Sequence, residues 1–210
     1  MYHMEDVLEL YAEEYMADYP VVCFDESPYQ LISETRTPIP AAPGQPARVD
    51  HEYRREGTCN LFMLVEPLQG WRHVDVTERR TAADFAAQMQ ALVDVHYPTA
   101  TLITVVLDQL NTHTLAALYD VFPPAEARRL VNKLHLRHTP KHGSWLNMAE
   151  VEFAVIHGQC LDRRIGDIAT AKREIAAWET ARNATKTTIN WQFTLEKARK
   201  KLHRLYPSQS

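Results

Sequence analysis

Two aspartates in the sequence follow short apolar runs and could therefore bring carboxylate groups together. Residues 21–24 (VVCF) precede Asp25, and residues 102–107 (LITVVL) precede Asp108. Both runs are rich in strand-forming residues, so each predicts a buried strand that ends at its aspartate. In sheets covered by helices, active-site groups commonly lie at such strand ends. If the strands are neighbours, the two carboxylates repel each other, and hard cations such as Mg²⁺ or Mn²⁺ remove that repulsion.

A second interpretation needs no chemistry, because aspartate after a strand commonly caps the next turn. Taken alone, the positions of Asp25 and Asp108 favour that interpretation. A metal centre would need a third carboxylate, which composition and spacing do not single out among the acids of the chain. A helical stretch further along carries Glu150 and Glu152. They lie on opposite flanks of the apolar stripe of that helix, which comprises Trp145, Ala149, Phe153, Ile156 and Cys160. Periodicity does not choose between the two glutamates.

The elements around these residues alternate between strands and helices. Residues 4–16 predict a short lead-in helix, and the segment 37–46, with four prolines, predicts an extended loop. Residues 60–65 and 71–76 predict a hairpin, and a capping box at Thr81 begins the next helix. Further helices are expected at 115–134 with a break at Pro123 and Pro124, after Ser144, at 167–182 and at 194–205, with a strand at 134–138. The order is β-ββ-α-β-α-β-α, followed by helices.

Composition describes an ordinary globular chain. The 210 residues are 45% hydrophobic, which is enough for one sizeable core, and a single domain is expected. The formal net charge of −4 leaves DNA binding open, since a DNA-processing site needs only a local basic surface. Three widely spaced cysteines, Cys23, Cys59 and Cys160, predict reduced thiols in the core. Because no stretch is long and apolar enough to span a membrane, a cytoplasmic protein without a membrane partner is expected.

Five segments of the sequence resemble one family of enzymes over nearly the whole chain. They are VVCFDES around Asp25, TRTPIPAAPGQPAR, NLFMLVEPLQGWRHVDVTERRT, VVLDQLNTH around Asp108, and HTPKHGSWLNMAEVEF around Glu150. These segments resemble the catalytic domain of mariner-like bacterial insertion-sequence transposases of the DDE type. The resemblance implies an α/β, RNase H-like mixed sheet flanked by helices, with extra C-terminal helices. It also implies that Glu150 is the third acid, which leaves Glu152 as a solvated surface residue.

The resemblance further implies an activity and its partners. Asp25, Asp108 and Glu150 would be the catalytic and metal-binding residues, holding two Mg²⁺ or Mn²⁺ ions for DNA cleavage and strand transfer. The partners would be transposon-end and target DNA, together with a second copy of the chain or a full-length transposase. Residues 1–20 would form the lead-in helix and residues 21–210 the catalytic domain with its C-terminal helices. The N-terminal helix-turn-helix module that relatives carry would be absent.

Several polar residues near the last motif have two interpretations. Lys141, His142 and Asn147 are candidate contacts to nucleic acid, since cationic and hydrogen-bonding groups hold phosphates. Trp145 is expected in the core and Ser144 at a helix N-cap, although either could also contact DNA. The sequence therefore predicts a DNA-facing surface just before Glu150, with Lys141 and His142 as the phosphate contacts.

The histidines and the basic C-terminal residues also leave alternatives open. His113 could orient groups of the site or simply begin a helix. A zinc site at His135, His138 and His142 is a weaker alternative, because no cysteine pair accompanies them. The basic stretch 197–204 predicts a solvated helix in preference to a DNA-binding face.

One departure from the family pattern bears on activity. Gln109 follows the second aspartate, where relatives usually have asparagine, and the longer amide could displace local hydrogen bonds. One alternative function is therefore a catalytically inactive, truncated transposase remnant that acts as an interaction module. A host RNase H-like nuclease is a third hypothesis, which is disfavoured because the sequence around Glu150 resembles transposases.

Overall fold

The computed structural model describes residues 1–206, and a five-stranded mixed sheet forms its centre. The strands are β1 (Val21–Glu34), β2 (Tyr53–Glu66), β3 (Trp71–Thr77), β4 (Ile103–Leu107) and β5 (Leu134–His138). Their order across the sheet is β3-β2-β1-β4-β5. The first three strands pair antiparallel, whereas β4 runs parallel to both β1 and β5. The predicted mixed sheet, its hairpin and the strand at 134–138 are confirmed.

Within residues 1–206, seven α-helices surround the sheet. They are α1 (Tyr2–Leu10), α2 (Ala82–Ala91), α3 (Ala116–Val121), α4 (Pro124–Val131), α5 (Ala149–Ile156), α6 (Ile168–Ala184) and α7 (Leu195–Lys201). The predicted capping box is present, since the Thr81 hydroxyl accepts from the Asp84 amide and the Asp84 carboxylate accepts from the Thr81 amide. Asp167 is the N-cap of α6, since its side chain accepts from the Thr170 amide. The predicted break at Pro123 and Pro124 separates α3 from α4.

The sheet has a hydrophobic core on each face, because successive strand residues point to opposite sides. Val22 and Phe24 of β1 belong to the core covered by α2, α3 and α4. Cys23 lies between them in sequence and belongs to the other core, which α1, α5, α6 and α7 cover. The three cysteines are buried free thiols, as the sequence predicts. The lead-in helix α1 packs into the second core and ends at Leu10, earlier than expected.

The prediction that the first strand ends at Asp25 is wrong, because β1 continues to Glu34. From Asp25 to Glu34 the strand pairs with β2, beginning at the pair Asp25 and Met63. Pro28 interrupts neither strand, since β4 pairs with β1 only as far as Cys23 and no described strand pairs with that edge of β1 beside Pro28. The predicted loop around 37–46 is confirmed as an exposed connection with two isolated bridges.

Two expectations around Ser144 are also wrong. Ser144–Leu146 form a single 3₁₀ turn, and the residue that precedes α5 is Met148, whose side chain makes no capping hydrogen bond. Ser144 is therefore not the helix N-cap. Trp145 is 48% exposed and lies outside α5, because the helix begins only at Ala149 and its stripe does not extend back to Trp145. The C-terminal helical pattern likewise divides into α7 and a short 3₁₀ turn.

Candidate active site

The two predicted aspartates lie at matching positions of neighbouring parallel strands. The last pair between β1 and β4 joins Cys23 to Val106. Asp25 follows Cys23 by two residues, and Asp108 follows Val106 by two residues. Since adjacent strands lie about 4.8 Å apart, this register sets the two aspartates side by side where β1 and β4 separate.

Asp25 sits in a largely enclosed position. Asp25 is only 9% exposed, and its Oδ1 accepts a hydrogen bond of 2.9 Å from the Glu26 amide. Burial raises the pKa of Asp25 to about 7, although the Glu26 amide opposes this shift. The negative charges of Glu150, Asp108 and Glu26 contribute to the same rise in pKa. The charges of Asp108 and Glu150 therefore act on Asp25.

Asn147 connects Asp25 to the helix that carries Glu150. Its Nδ2 donates to the Phe24 carbonyl at 2.8 Å and lies 3.3 Å from Oδ2 of Asp25. Its Oδ1 accepts from the amide of Ala149, the first residue of α5. Because Asn147 is 1% exposed, its side chain has no surface to offer to nucleic acid. The amide instead orients an aspartate and the start of a helix.

The two glutamates of α5 have opposite environments. Glu150 is exposed in the first turn of the helix, and its charge acts on Asp25. Glu152 is completely buried, with Oε1 2.8 Å from Nη2 of Arg72 and 3.0 Å from Nη2 of Arg182. The expectation of a solvated Glu152 is wrong, because that flank of α5 packs against β3 and α6, which supply the two arginines.

His113 is a buried link between the two strands. Its Nδ1 lies 2.6 Å from Oδ1 of Asp108, and its Nε2 lies 2.8 Å from Oε2 of Glu26. The second contact is an ion pair and not a well-aligned hydrogen bond. The rings of Phe24 and Phe85 lie 5.3 and 5.1 Å from the imidazole. His113 therefore orients groups of the site, one of the two roles its position allowed.

The contacts of His113 shift its pKa and that of Asp108. Burial opposes protonation of His113, but the carboxylates of Asp108 and Glu26 outweigh it and raise the pKa of the imidazole to about 9. Burial likewise opposes ionisation of Asp108, yet the hydrogen bonds from His113 and the Leu110 amide leave the pKa of Asp108 below its usual value. At neutral pH the site therefore contains an imidazolium between two carboxylates.

Sequence reasoning missed Glu26 and Arg72, and each had a signal. Glu26 directly follows Asp25, where a second carboxylate beside a candidate ligand merits notice. Arg72 alternates with Val74 and Val76 along β3, so the strand period puts it on the buried side. A buried arginine needs a carboxylate partner, and this requirement would have directed attention to Glu152.

The remaining predicted residues lie at the rim. Lys141 and His142 are exposed in the turn before Ser144, and His142 has a left-handed backbone with a φ of 63°. The Gln109 amide donates to the Thr139 carbonyl at 2.9 Å, so the longer side chain has a defined partner. These positions leave Lys141 and His142 accessible to a ligand.

The site fits a hard cation by its chemistry but is not assembled around one point. Within residues 1–206, no three His, Cys, Asp or Glu side chains form a ready-made metal site, whether among the acids or among His135, His138 and His142. The donor groups of the acidic cluster are all carboxylate oxygens, which Mg²⁺ and Mn²⁺ prefer. The raised pKa of Asp25 reflects burial first and then the nearby negative charges of Glu150, Asp108 and Glu26, which a cation would neutralise.

The mixed sheet, with aspartates at matching positions of two parallel strands, defines an α/β nuclease-like domain. A family model described as DDE superfamily endonuclease matches residues 20–172. The chain therefore belongs to the DDE superfamily endonucleases. A comparison with curated proteins finds no match. None of the described helices is long and apolar enough to cross a membrane.

Solved structures of a mariner transposase share the fold. The Mos1 strand transfer complex has a TM-score of 0.61 at 16% identity over 89% of this chain and 55% of that one. The Mos1 mariner paired-end complex with Mn gives 0.59 at 17% identity, with coverage of 89% and 55%. The Mos1 transposase paired-end complex with the left transposon end gives 0.57 at 17%, with 88% and 58%. The predicted RNase H-like fold is confirmed, and the chain spans little more than half the length of these relatives.

Proposed function

We propose that this chain is the catalytic domain of a DDE transposase, which cuts DNA phosphodiester bonds and transfers the cut strand with the help of divalent cations. The observation that carries the proposal is the geometry of the acids: Asp25 and Asp108 occupy matching positions of the parallel strands β1 and β4, and Asn147 joins Asp25 to the start of α5, the helix of Glu150. Membership of the endonuclease family supports the reaction class. The Mos1 complexes with transposon ends and with Mn support the substrate and the cation.

In this proposal the three acids hold two Mg²⁺ or Mn²⁺ ions. Bound cations supply Lewis-acid activation of the phosphodiester and lower the pKa of water at the site. The contribution of the chain is to position the carboxylates: Asn147 orients Asp25, and His113 orients Asp108. No side chain needs to form a covalent bond to the DNA.

The DNA partners and the assembly are part of the same proposal. Lys141 and His142 are proposed phosphate contacts because they are exposed just before Glu150. Asn147, which is buried, is assigned to positioning instead. We also propose residues 21–210 as the catalytic domain, acting as a homodimer or paired with a full-length transposase. An inactive remnant that acts as an interaction module is the alternative, and the departure from the family pattern at Gln109 favours it.

Nicking of supercoiled plasmid in Mn²⁺ tests the proposal without knowledge of the transposon ends. The parent is expected to nick the plasmid, Asp108→Asn to lose this activity, and the exposed control Asp120→Asn to keep it. Nicking by Asp108→Asn at the parental rate would contradict the assignment of the acids. A parent that cuts nothing, although it is folded, would support the inactive remnant.

A further inference from the structure

A partly exposed aromatic pair lies beside a row of lysines, and one of its rings, that of Trp145, belongs to the segment just before Glu150. Trp145 is 48% exposed. Its ring packs edge-on against the ring of Phe193, with the ring centroids 5.4 Å apart. Lys201 Nζ lies 6.0 Å from the centre of the Phe193 ring. Phe193 also lines a shallow cleft of about 540 Å³ with Lys197, Lys200 and Lys201. These five residues are named the aromatic–lysine surface.

The geometry of α7 turns these lysines towards solvent. Lys197, Lys200 and Lys201 are spaced three and four residues apart, so they share one side of the helix. Arg199 points elsewhere and forms an ion pair of 2.8 Å with Glu5 of α1. In the part of the chain that the structure describes, none of the three lysines is paired with a carboxylate. Their charge is therefore available to an anionic ligand.

Chain connectivity keeps this surface close to the acids. Trp145 precedes Asn147 by two residues, and the Asn147 amide lies 3.3 Å from a carboxylate oxygen of Asp25. Two residues span at most about 7 Å between Cα atoms. Glu150 follows Trp145 by five residues in the same segment. A ligand on the aromatic–lysine surface would therefore extend to the edge of the acidic site.

We propose that the aromatic–lysine surface binds single-stranded DNA, with one unpaired base stacked on Trp145 and phosphates held by Lys200 and Lys201. An exposed ring accepts the face of any base, and lysines neutralise the backbone, a combination typical of single-strand binding. A duplex hides its base faces inside the stack and cannot use Trp145 in this way. The proposal rests on the proposed function for its DNA substrate, but binding at this surface requires no cation.

Fluorescence anisotropy with a labelled oligothymidine of about 12 nucleotides tests the stacking contact. The titration is made in EDTA with the parent, Trp145→Ala and Trp145→Phe. Removal of the ring is expected to weaken binding about tenfold, whereas phenylalanine keeps the affinity within about threefold. Tyr119→Ala, which removes an aromatic residue 45% exposed on α3, serves as the control and leaves the affinity unchanged.

The lysines are tested by the salt dependence of the same binding. The double variant Lys200→Ala/Lys201→Ala is expected to reduce the slope of log K against log salt by about 1.4, and the exposed control Lys172→Ala to leave it unchanged. The proposal is overturned if the parent does not bind the oligonucleotide, if Trp145→Ala binds like the parent, or if Trp145→Phe loses as much as Trp145→Ala. Because EDTA removes cations, these outcomes are independent of whether the acids bind metal.

Discussion

Nδ1 of His113 lies 2.6 Å from Oδ1 of Asp108, and the same imidazole reaches Glu26 at 2.8 Å on the neighbouring strand. One buried cation therefore stands between carboxylates from β1 and from the end of β4. The rings of Phe24 and Phe85 pack against it. This link holds Asp108 through Oδ1, and among the described residues Oδ2 accepts no hydrogen bond, which leaves it available to a ligand.

Replacing His113 by alanine is expected to lower the free energy of unfolding by about 3 kcal/mol, because the nearly buried Glu26 loses its compensating charge. Urea denaturation measures the change. Adding Glu26→Gln to the His113→Ala variant is expected to recover at least part of the loss, since the neutral amide needs no counter-charge. If Glu26→Gln instead lowered the free energy of unfolding further, by an additive amount, the His113–Glu26 ion pair would not explain the loss in His113→Ala.

Substitutions of the two glutamates of α5 are expected to have different effects on the free energy of unfolding. Glu152→Gln should cost about 3 kcal/mol, because it leaves the fully buried Arg72 without its carboxylate partner. Glu150→Gln changes an exposed residue and should alter stability by less than about 0.5 kcal/mol. Urea denaturation of both variants provides the comparison, and similar costs at the two positions would contradict the assignment of Glu152 as structural and Glu150 as functional.

Asn147→Ala is expected to weaken Mn²⁺ binding by about 10- to 100-fold, the usual effect of removing a group that orients a ligand. The physical reason is that the Asn147 amide contacts Asp25 and also the start of α5. Calorimetric titration measures the affinity. Ser144→Ala, an exposed change three residues earlier, serves as the control. Unchanged affinity in Asn147→Ala would remove this residue from the positioning role.

The His73–Glu179 contact between β3 and α6 should make stability depend on pH. The hydrogen bond to Glu179 raises the pKa of His73, with burial opposing and Asp75 assisting, while neighbouring His96 has a lowered pKa because of burial and the charge of His73. A raised folded-state pKa means that the stabilisation is complete below the unfolded value of about 6.5 and is lost as pH rises through the folded value.

The measurement for this contact is the stability difference between the parent and His73→Gln at pH 5.5 and at pH 9. The difference is expected to be larger at pH 5.5, by up to about 1 kcal/mol, since the pair is partly exposed. His135→Gln, which changes an exposed histidine of β5, should show no such dependence. A difference that grows with pH would refute the assigned direction of the shift.

Much of the fold could be predicted because its strands and helices have strong local patterns. The apolar run before Asp108, the capping box at Thr81 and the break at Pro123 and Pro124 all correspond to observed boundaries. The continuation of β1 to Glu34 could not be predicted in this way. It depends on pairing with β2 beyond Asp25, and such pairing follows from tertiary contacts and not from local propensity.

The site was predicted less completely, for a related reason. Sequence periodicity left Glu150 and Glu152 equivalent, and the burial of Glu152 follows from the arginines of β3 and α6, which no local pattern predicts. Asn147 was predicted to contact DNA because it lies just before Glu150 in the sequence, whereas the side chain is buried and contacts Asp25. Trp145 was assigned to the core because the helix was assumed to begin before it. The differences at Glu152 and Asn147 arise from contacts between segments far apart in sequence.

Calorimetric titration of Mn²⁺ into the parent, Asp25→Ala and Glu150→Ala tests the central claim most directly, because it examines the acids without requiring the transposon ends. Asp120→Asn provides a matched control for loss of an exposed carboxylate. The account predicts binding in the parent and in the control, and loss of binding in both variants of the acids. Absence of binding in the folded parent, or parental affinity in Asp25→Ala and Glu150→Ala, would contradict it.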